Sequence, residues 1–159
     1  QIRAFANCRT TLTVERVGTG LVRALYATYL THLPSDKFSY SLPQHADPRG
    51  VFVEMVKTLD SGQFSFFTIE PGVKRGCHYH HTKTEKFLVV QGEAKFLMRN
   101  LSTNERLELR TDGESPSIVE TIPGWVHEVQ NIGQTKLIVI IWANEIFSKS
   151  SPDTVNHKV

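Results

Sequence analysis

The chain has 159 residues, of which 40% are hydrophobic and 21% charged, with a formal net charge of +2. That is the make-up of a globular domain long enough to bury its own core. It excludes a dedicated nucleic-acid binder, since no run of Lys or Arg builds a basic stripe. No apolar stretch approaches a membrane span, and no signal peptide is visible. Cys8 and Cys77 make no secreted disulfide framework, so two reduced thiols in a cytoplasmic protein are expected. Because the chain opens on Gln1, it is expected to be a piece of a longer protein.

Gln1 to Thr13 shows no clear period. From Thr19 to Leu33 apolar residues recur at helical spacing (Leu21, Val22, Leu25, Tyr26, Tyr29, Leu30, Leu33), which predicts an amphipathic helix. Thr19 is its N-cap and Pro34 ends it. From Phe38 onward the pattern changes to short β-rich runs: Val51 to Lys57, Phe64 to Ile69, Gly76 to His80, Glu85 to Gln91, Ala94 to Asn100, Glu105 to Leu109, Ile118 to Thr121, His127 to Gln130 and Lys136 to Trp142. Asp60-Ser61-Gly62, Gln91-Gly92, Thr103-Asn104, Asp112-Gly113 and Asn131-Ile132-Gly133 separate several of them as turns. Many short strands at near-regular spacing predict an all-β sandwich or small barrel with room for a ligand. The division expected is residues 1–36 as an N-terminal helical segment, 37–147 as the barrel and 148–159 as a polar surface tail.

One stretch carries chemistry. His78 and His80 stand on alternate residues of a strand, so both point to one face. Glu85 follows, and His127 arrives from a distant strand. Three imidazoles and one carboxylate are a metal set, and one divalent cation there keeps a net charge of +1 and open coordination positions. Zn(II), Fe(II), Mn(II) and Ni(II) all accept these ligands, so the set alone does not choose the metal. A lone strand His is ordinarily a surface residue; four ligands in this arrangement are not. Cys77 and His81, on the alternate face, are expected to turn away.

The spacing from Gly72 through His78, His80 and Glu85 to Gly92 resembles the first motif of the cupin family, and Gly124, His127 and Asn131 resemble the second. The match departs where Pro123 and Gly124 are adjacent, since cupins usually keep one residue between them. The resemblance implies a jelly-roll, double-stranded β-helix barrel. Asp47-Pro48-Arg49-Gly50-Val51-Phe52-Val53-Glu54 and Arg75-Gly76-Cys77-His78-Tyr79 are similar to segments of dTDP-4-dehydrorhamnose 3,5-epimerases, in which the His is the base. Those enzymes lack the second His and the Glu, so this chain reads as epimerase signatures laid over a metal-type cupin.

That combination resembles the bifunctional capsule and O-antigen enzymes of UDP-N-acetyl-L-fucosamine precursor synthesis, in which a short-chain reductase domain precedes a zinc cupin. Ala6 to Gly20 is similar to the end of that reductase domain, and residues 1–36 would then be its remnant plus a linker helix. Trp142 to Phe147 is similar to the end of its cupin. The Gly-rich nucleotide-binding turn and the Tyr-x-x-x-Lys pair are absent, so the reductase activity is expected to lie outside this chain. The resemblance implies Zn(II), a UDP-sugar substrate, an upstream reductase domain, a homodimer, and epimerisation at C3 of a UDP-linked 2-acetamido-2,6-dideoxy-4-keto-hexose.

The metal ligands expected are His78, His80, Glu85 and His127. His78 is also the base by analogy, but a liganded imidazole has lost the lone pair that a base needs. Tyr79, Lys86, Glu54, His81 and Glu145 are the other acid–base candidates. Arg49 and Arg75, with Lys74, are the candidates for the nucleotide phosphates, because Arg offers a planar fork of donors. Trp125 and Trp142 are candidates to wall the pocket. The competing functions are a ketoisomerase, in which the same enolate collapses differently, and a non-catalytic metal-stapled cupin for sugar binding or dimerisation.

Overall fold

The computed structural model describes residues Gln1–Val159. Strand pairing dominates, as the period-2 runs require. One sheet joins β1 (Thr13–Val14), β2 (His45–Asp47), β3 (Gly50–Thr58), β4 (Gln63–Ile69), β6 (Glu85–Gln91), β9 (Ile118–Thr121) and β11 (Leu137–Ala143). Its order is β1-β3-β4-β11-β6-β9, with β2 also on β3. The second sheet joins β5 (Lys74–Tyr79), β7 (Glu93–Asn100), β8 (Arg106–Asp112), β10 (Trp125–Asn131) and β12 (Val155–Asn156), in the order β12-β5-β10-β7-β8. All pairings are antiparallel except β1 with β3. This is the layered jelly-roll arrangement that the cupin resemblance implies.

The core is the apolar side of the alternation. Phe67, Ile69, Phe87, Val89, Val119, Leu137 and Val139 come from the first sheet, and Ala94, Phe96, Met98 and Val129 from the second. Fully burying each large side chain contributes roughly 1.5–3 kcal/mol. Asn131 is also fully buried; its Nδ2 donates to the Ile69 and Thr135 carbonyls and its Oδ1 accepts from the Gly133 amide.

Two helices precede the sheets. α2 (Gly20–Thr31) occupies the expected stretch with Thr19 as N-cap, although the Thr19 side chain makes no capping hydrogen bond. α1 (Ile2–Thr11) forms where no period was read. Its Phe5 is buried against the rings of Tyr26 and Tyr29, so α2 supplies the apolar partner that orders it. Neither helix is long and apolar enough to cross a membrane.

The C-terminal residues do more than cover surface. β12 pairs with β5, placing Val155 opposite Tyr79 and Asn156 opposite His78. Between β5 and β10 the register shifts: His127 faces His78, while Glu128 faces Gly76. Cys77 is therefore an extra residue, a β-bulge. Gly76 and Cys77 adopt φ of 102° and 64° there.

Candidate metal centre

The bulge decides what β5 shows to the interior. In a regular strand Arg75 and His78 would face opposite ways. With Cys77 inserted, Lys74 and Cys77 share the outer face, where the Lys74 ammonium (3.0 Å) and the Cys77 thiol (2.7 Å) both donate to Glu128. Arg75 and His78 both turn inward and line the same cavity.

His78 comes from β5, His80 from the residue just past it, Glu85 from the start of β6 and His127 from β10. One donor atom from each lies within 4.8 Å of all the others. Glu85 Oε2 is 3.2 Å from His80 Nε2 and 3.3 Å from His127 Nε2. His80, Glu85 and His127 are buried, and His78 is on the open side towards the cavity.

The donor chemistry fits a cation. His80 Nδ1–H donates to the Asp153 carbonyl and His127 Nδ1–H to the Trp125 carbonyl at 3.3 Å. Those bonds fix tautomers that leave both Nε2 lone pairs aimed at the centre. His127 Nε2 is buried without a hydrogen-bond partner; its approach to Glu85 lacks the alignment of one. Burial, then the neighbouring His127, pushes the His78 imidazole down to about 3, so it is neutral and ready to ligate. Burial alone would raise the Glu85 carboxyl. The imidazoles of His127 and His80, both within 3.3 Å of the carboxylate, and the charge of Lys83 outweigh it and hold Glu85 low.

The cavity beside this cluster measures about 410 Å³, and polar and charged side chains outnumber the aromatic and aliphatic ones in its lining. Arg49 and Arg75 line it, and Asp47 bridges them, 2.7 Å from Arg49 Nη2 and 3.3 Å from Arg75 Nη2. Glu145 also lines it.

The other candidates stand elsewhere. Tyr79 and Lys86 alternate with the ligands and face away: Tyr79 packs on the His81 and His157 rings, and Lys86 pairs with Glu120. Glu54 sits at a register shift in β3 and pairs with Lys57 at 3.2 Å. Lys74 is on the outer face with Glu128. Trp125 packs against the core, and Trp142 donates its indole N–H to the Ser61 carbonyl. His81 lies beside Tyr79, as alternation predicted.

Lys83 was missed. It is buried, lines the cavity, and its ammonium is 3.1 Å from Glu85 Oε1. A lysine within the His-His-Thr-Lys-Thr-Glu run reads as surface charge, and nothing in the spacing signals that it folds inward. Asp153 was missed for the same kind of reason: it acts on residues about seventy positions away. The shortened Pro123-Gly124 turn keeps its place, with the Gly124 amide donating to the His80 carbonyl at 3.0 Å and Gly124 at φ 78°.

The double-sheet fold is that of a cupin, and its three histidines and one carboxylate form a group that could hold a metal ion. The chain belongs to the polysaccharide biosynthesis C-terminal domain family, whose model matches residues 45–155. It is 58% identical over 154 residues to a Pseudomonas aeruginosa UDP-2-acetamido-2,6-beta-L-arabino-hexul-4-ose reductase, covering 97% of this chain and 41% of that protein. It is 28% identical over 122 residues to the Bacillus subtilis spore coat polysaccharide biosynthesis protein SpsL, covering 70% of this chain and 81% of that protein. Among solved structures it resembles the capsular polysaccharide assembling protein CapF of Staphylococcus aureus, with TM-score 0.95 and 38% identity over 99% of this chain and 42% of that one. The chain thus spans about two fifths of the length of the reductase and of CapF. Its homologues work in polysaccharide biosynthesis.

Proposed function

We propose that this chain is a zinc-dependent cupin that epimerises C3 of a UDP-linked 2-acetamido-2,6-dideoxy-4-keto-hexose in capsule or O-antigen sugar synthesis. The observation that supports it is the convergence of His78, His80, Glu85 and His127 beside a cavity that is also lined by Arg49 and Arg75, which Asp47 bridges. The Pseudomonas aeruginosa relative, by its name, acts on a sugar of this kind. In the same reading the reductase domain and the homodimer contact belong to the longer protein.

A proton next to a ketone leaves only if the enolate it generates is stabilised. A divalent cation held by the quartet would supply that stabilisation as a Lewis acid near the C4 oxygen. Arg49 and Arg75 would grip the diphosphate, with Asp47 orienting both guanidinium groups. Among the acid–base candidates of the sequence, His78 and Glu145 line the cavity. His78 is committed to the ligand set, so Glu145 is the group proposed to accept the C3 proton, and a solvent-derived proton would return to C3 on the opposite face of the enolate to complete the inversion.

Incubating the metal-loaded protein with a UDP-linked 4-keto sugar in heavy water tests this. Deuterium is expected at C3, and Glu145→Gln should slow its incorporation at least 100-fold with metal content unchanged. No deuterium at C3 with full metal loading overturns the epimerase reading in favour of a metal-stapled binding module. Deuterium with a rearranged carbonyl in the NMR spectrum indicates a ketoisomerase.

A further inference from the structure

The segment from Asp153 to Asn156 touches two of the four candidate ligand positions, His80 and His78, and holds the link that leads to a third, Glu85. The Asp153 carboxylate accepts from the backbone amides of His81 (2.8 Å), Thr82 (2.7 Å) and Lys83 (2.9 Å), and from the Thr82 hydroxyl (3.0 Å). Those residues form the link between His80 and Glu85. The Asp153 carbonyl meanwhile accepts from His80 Nδ1. Two residues on, β12 pairs Asn156 with His78 on β5, and the His157 amide donates to the Cys77 carbonyl at 2.9 Å.

We infer that this C-terminal strap is a retention latch for the metal, and that Asp153 is its positioning residue. The physical reason is preorganisation. A carboxylate with four donors on it fixes the link whose two ends are ligands. The carbonyl of the same residue sets the His80 tautomer so that Nε2 keeps its lone pair for the cation, and outer partners of that kind typically change metal affinity 10- to 100-fold. Linkage makes the effect reciprocal: a strap that tightens metal binding is itself held closed by the metal, by the same factor. Thr154 and Asn156 line the cavity, so an open strap also opens that wall. The latch rests on the metal reading of the quartet and adds to it a dependence on a remote segment.

The test is competition for Zn(II) against a chromophoric chelator, on the full chain, for wild type, Asp153→Ala and Asp153→Asn. Asp153→Ala should weaken Zn(II) at least tenfold. Asp153→Asn, which keeps one acceptor oxygen, should lose less, and the visible spectrum of the Co(II) form should move towards that of wild type on going from Ala to Asn. In wild type, Zn(II) should slow hydrogen exchange at the amides of His81, Thr82, Lys83 and His157. Zn(II) affinity within twofold of wild type in folded Asp153→Ala overturns the latch and leaves the metal site standing. If Asp153→Ala does not fold, exchange in wild type decides, and rates unchanged by Zn(II) overturn the latch. A wild-type chain that binds no Zn(II) overturns both the metal reading and the latch.

Discussion

Replacing Gly76 with alanine should damage both the fold and the metal centre, because one hydrogen-sized gap serves both. At Gly76 a Cβ would stand 2.7 Å from the His127 carbonyl oxygen and 2.8 Å from Glu128 Cα, where ordinary contact begins at 3.4 Å. The obstacles are backbone, so β5 and β10 must part by roughly 0.7 Å, several times the distance error of about 0.2 Å that a metal site tolerates. These strands carry His78 and His127 opposite each other. The residue also sits at φ 102°, which alanine adopts only with strain. Strain of about 1–3 kcal/mol and overpacking of about 1–3 kcal/mol make a destabilisation of about 2–6 kcal/mol. Urea unfolding of the metal-free protein reads that term, and chelator competition should show Zn(II) weakened at least tenfold. Gly72→Ala is the control: Gly72 has φ 75° but nothing within 4 Å of its would-be Cβ. It should cost about 1–3 kcal/mol from backbone strain and leave Zn(II) affinity unchanged. The reasoning is refuted if Gly76→Ala binds Zn(II) like wild type, or costs no more stability than Gly72→Ala.

Two further outcomes are expected away from the ligands. Asn131→Ala leaves the Ile69 and Thr135 carbonyls and the Gly133 amide without their partner; at roughly 1 kcal/mol or more for each, the loss should be about 3 kcal/mol. Thermal unfolding would show it, and an unchanged Tm would contradict it. Asp47 is held down to about 2, first by its side-chain hydrogen bonds with Arg49 and further by the charge of Arg75, against an ordinary value of 3.8. The unfolded chain therefore takes up this proton first as pH falls, so the cluster's contribution is complete above about pH 4 and disappears towards about pH 2. The stability difference between wild type and Asp47→Asn should shrink over that window in urea titrations; a difference that stays constant down to about pH 2 would contradict the assignment.

The parts of the fold legible in the sequence are those written in local periodicity. Glu85 to Gln91 and Ile118 to Thr121 form strands with the expected ends: both are short β-rich runs in which alternate residues (Phe87 and Val89, Val119 and Thr121) are buried. The residues of the candidate metal cluster were legible from their spacing: His78 and His80 differ by one alternation, and Glu85 opens a well-marked strand. Contacts between distant segments left no such trace. Phe5 orders α1 only because Tyr26 and Tyr29 pack on it. Asp153 looks like an ordinary charge in a polar tail until three amides from another loop close on it. The bulge at Cys77 was hidden as well: simple alternation separates Arg75 from His78, and only the pairing with β10 shows why both face the cavity. Tyr79, Lys86 and Lys74 were nominated by proximity in sequence, and strand geometry turns each of them outward.

The arrangement of the sheet margins bears on how the molecule behaves at high concentration. The outer side of β3 is covered by β2 at one end and β1 at the other. β9 is four residues long, between Pro116 and Pro123, and β12 is only two. β8 is the one long margin, and it carries Arg106, Glu108 and Arg110, the last two paired at 2.9 Å. Short, proline-flanked or charged margins do not template runaway strand addition. Fibril growth through these sheets is thereby disfavoured in a protein whose central strand β11, Leu137–Ala143, taken alone has the uncharged, β-branched composition of an amyloid-forming segment.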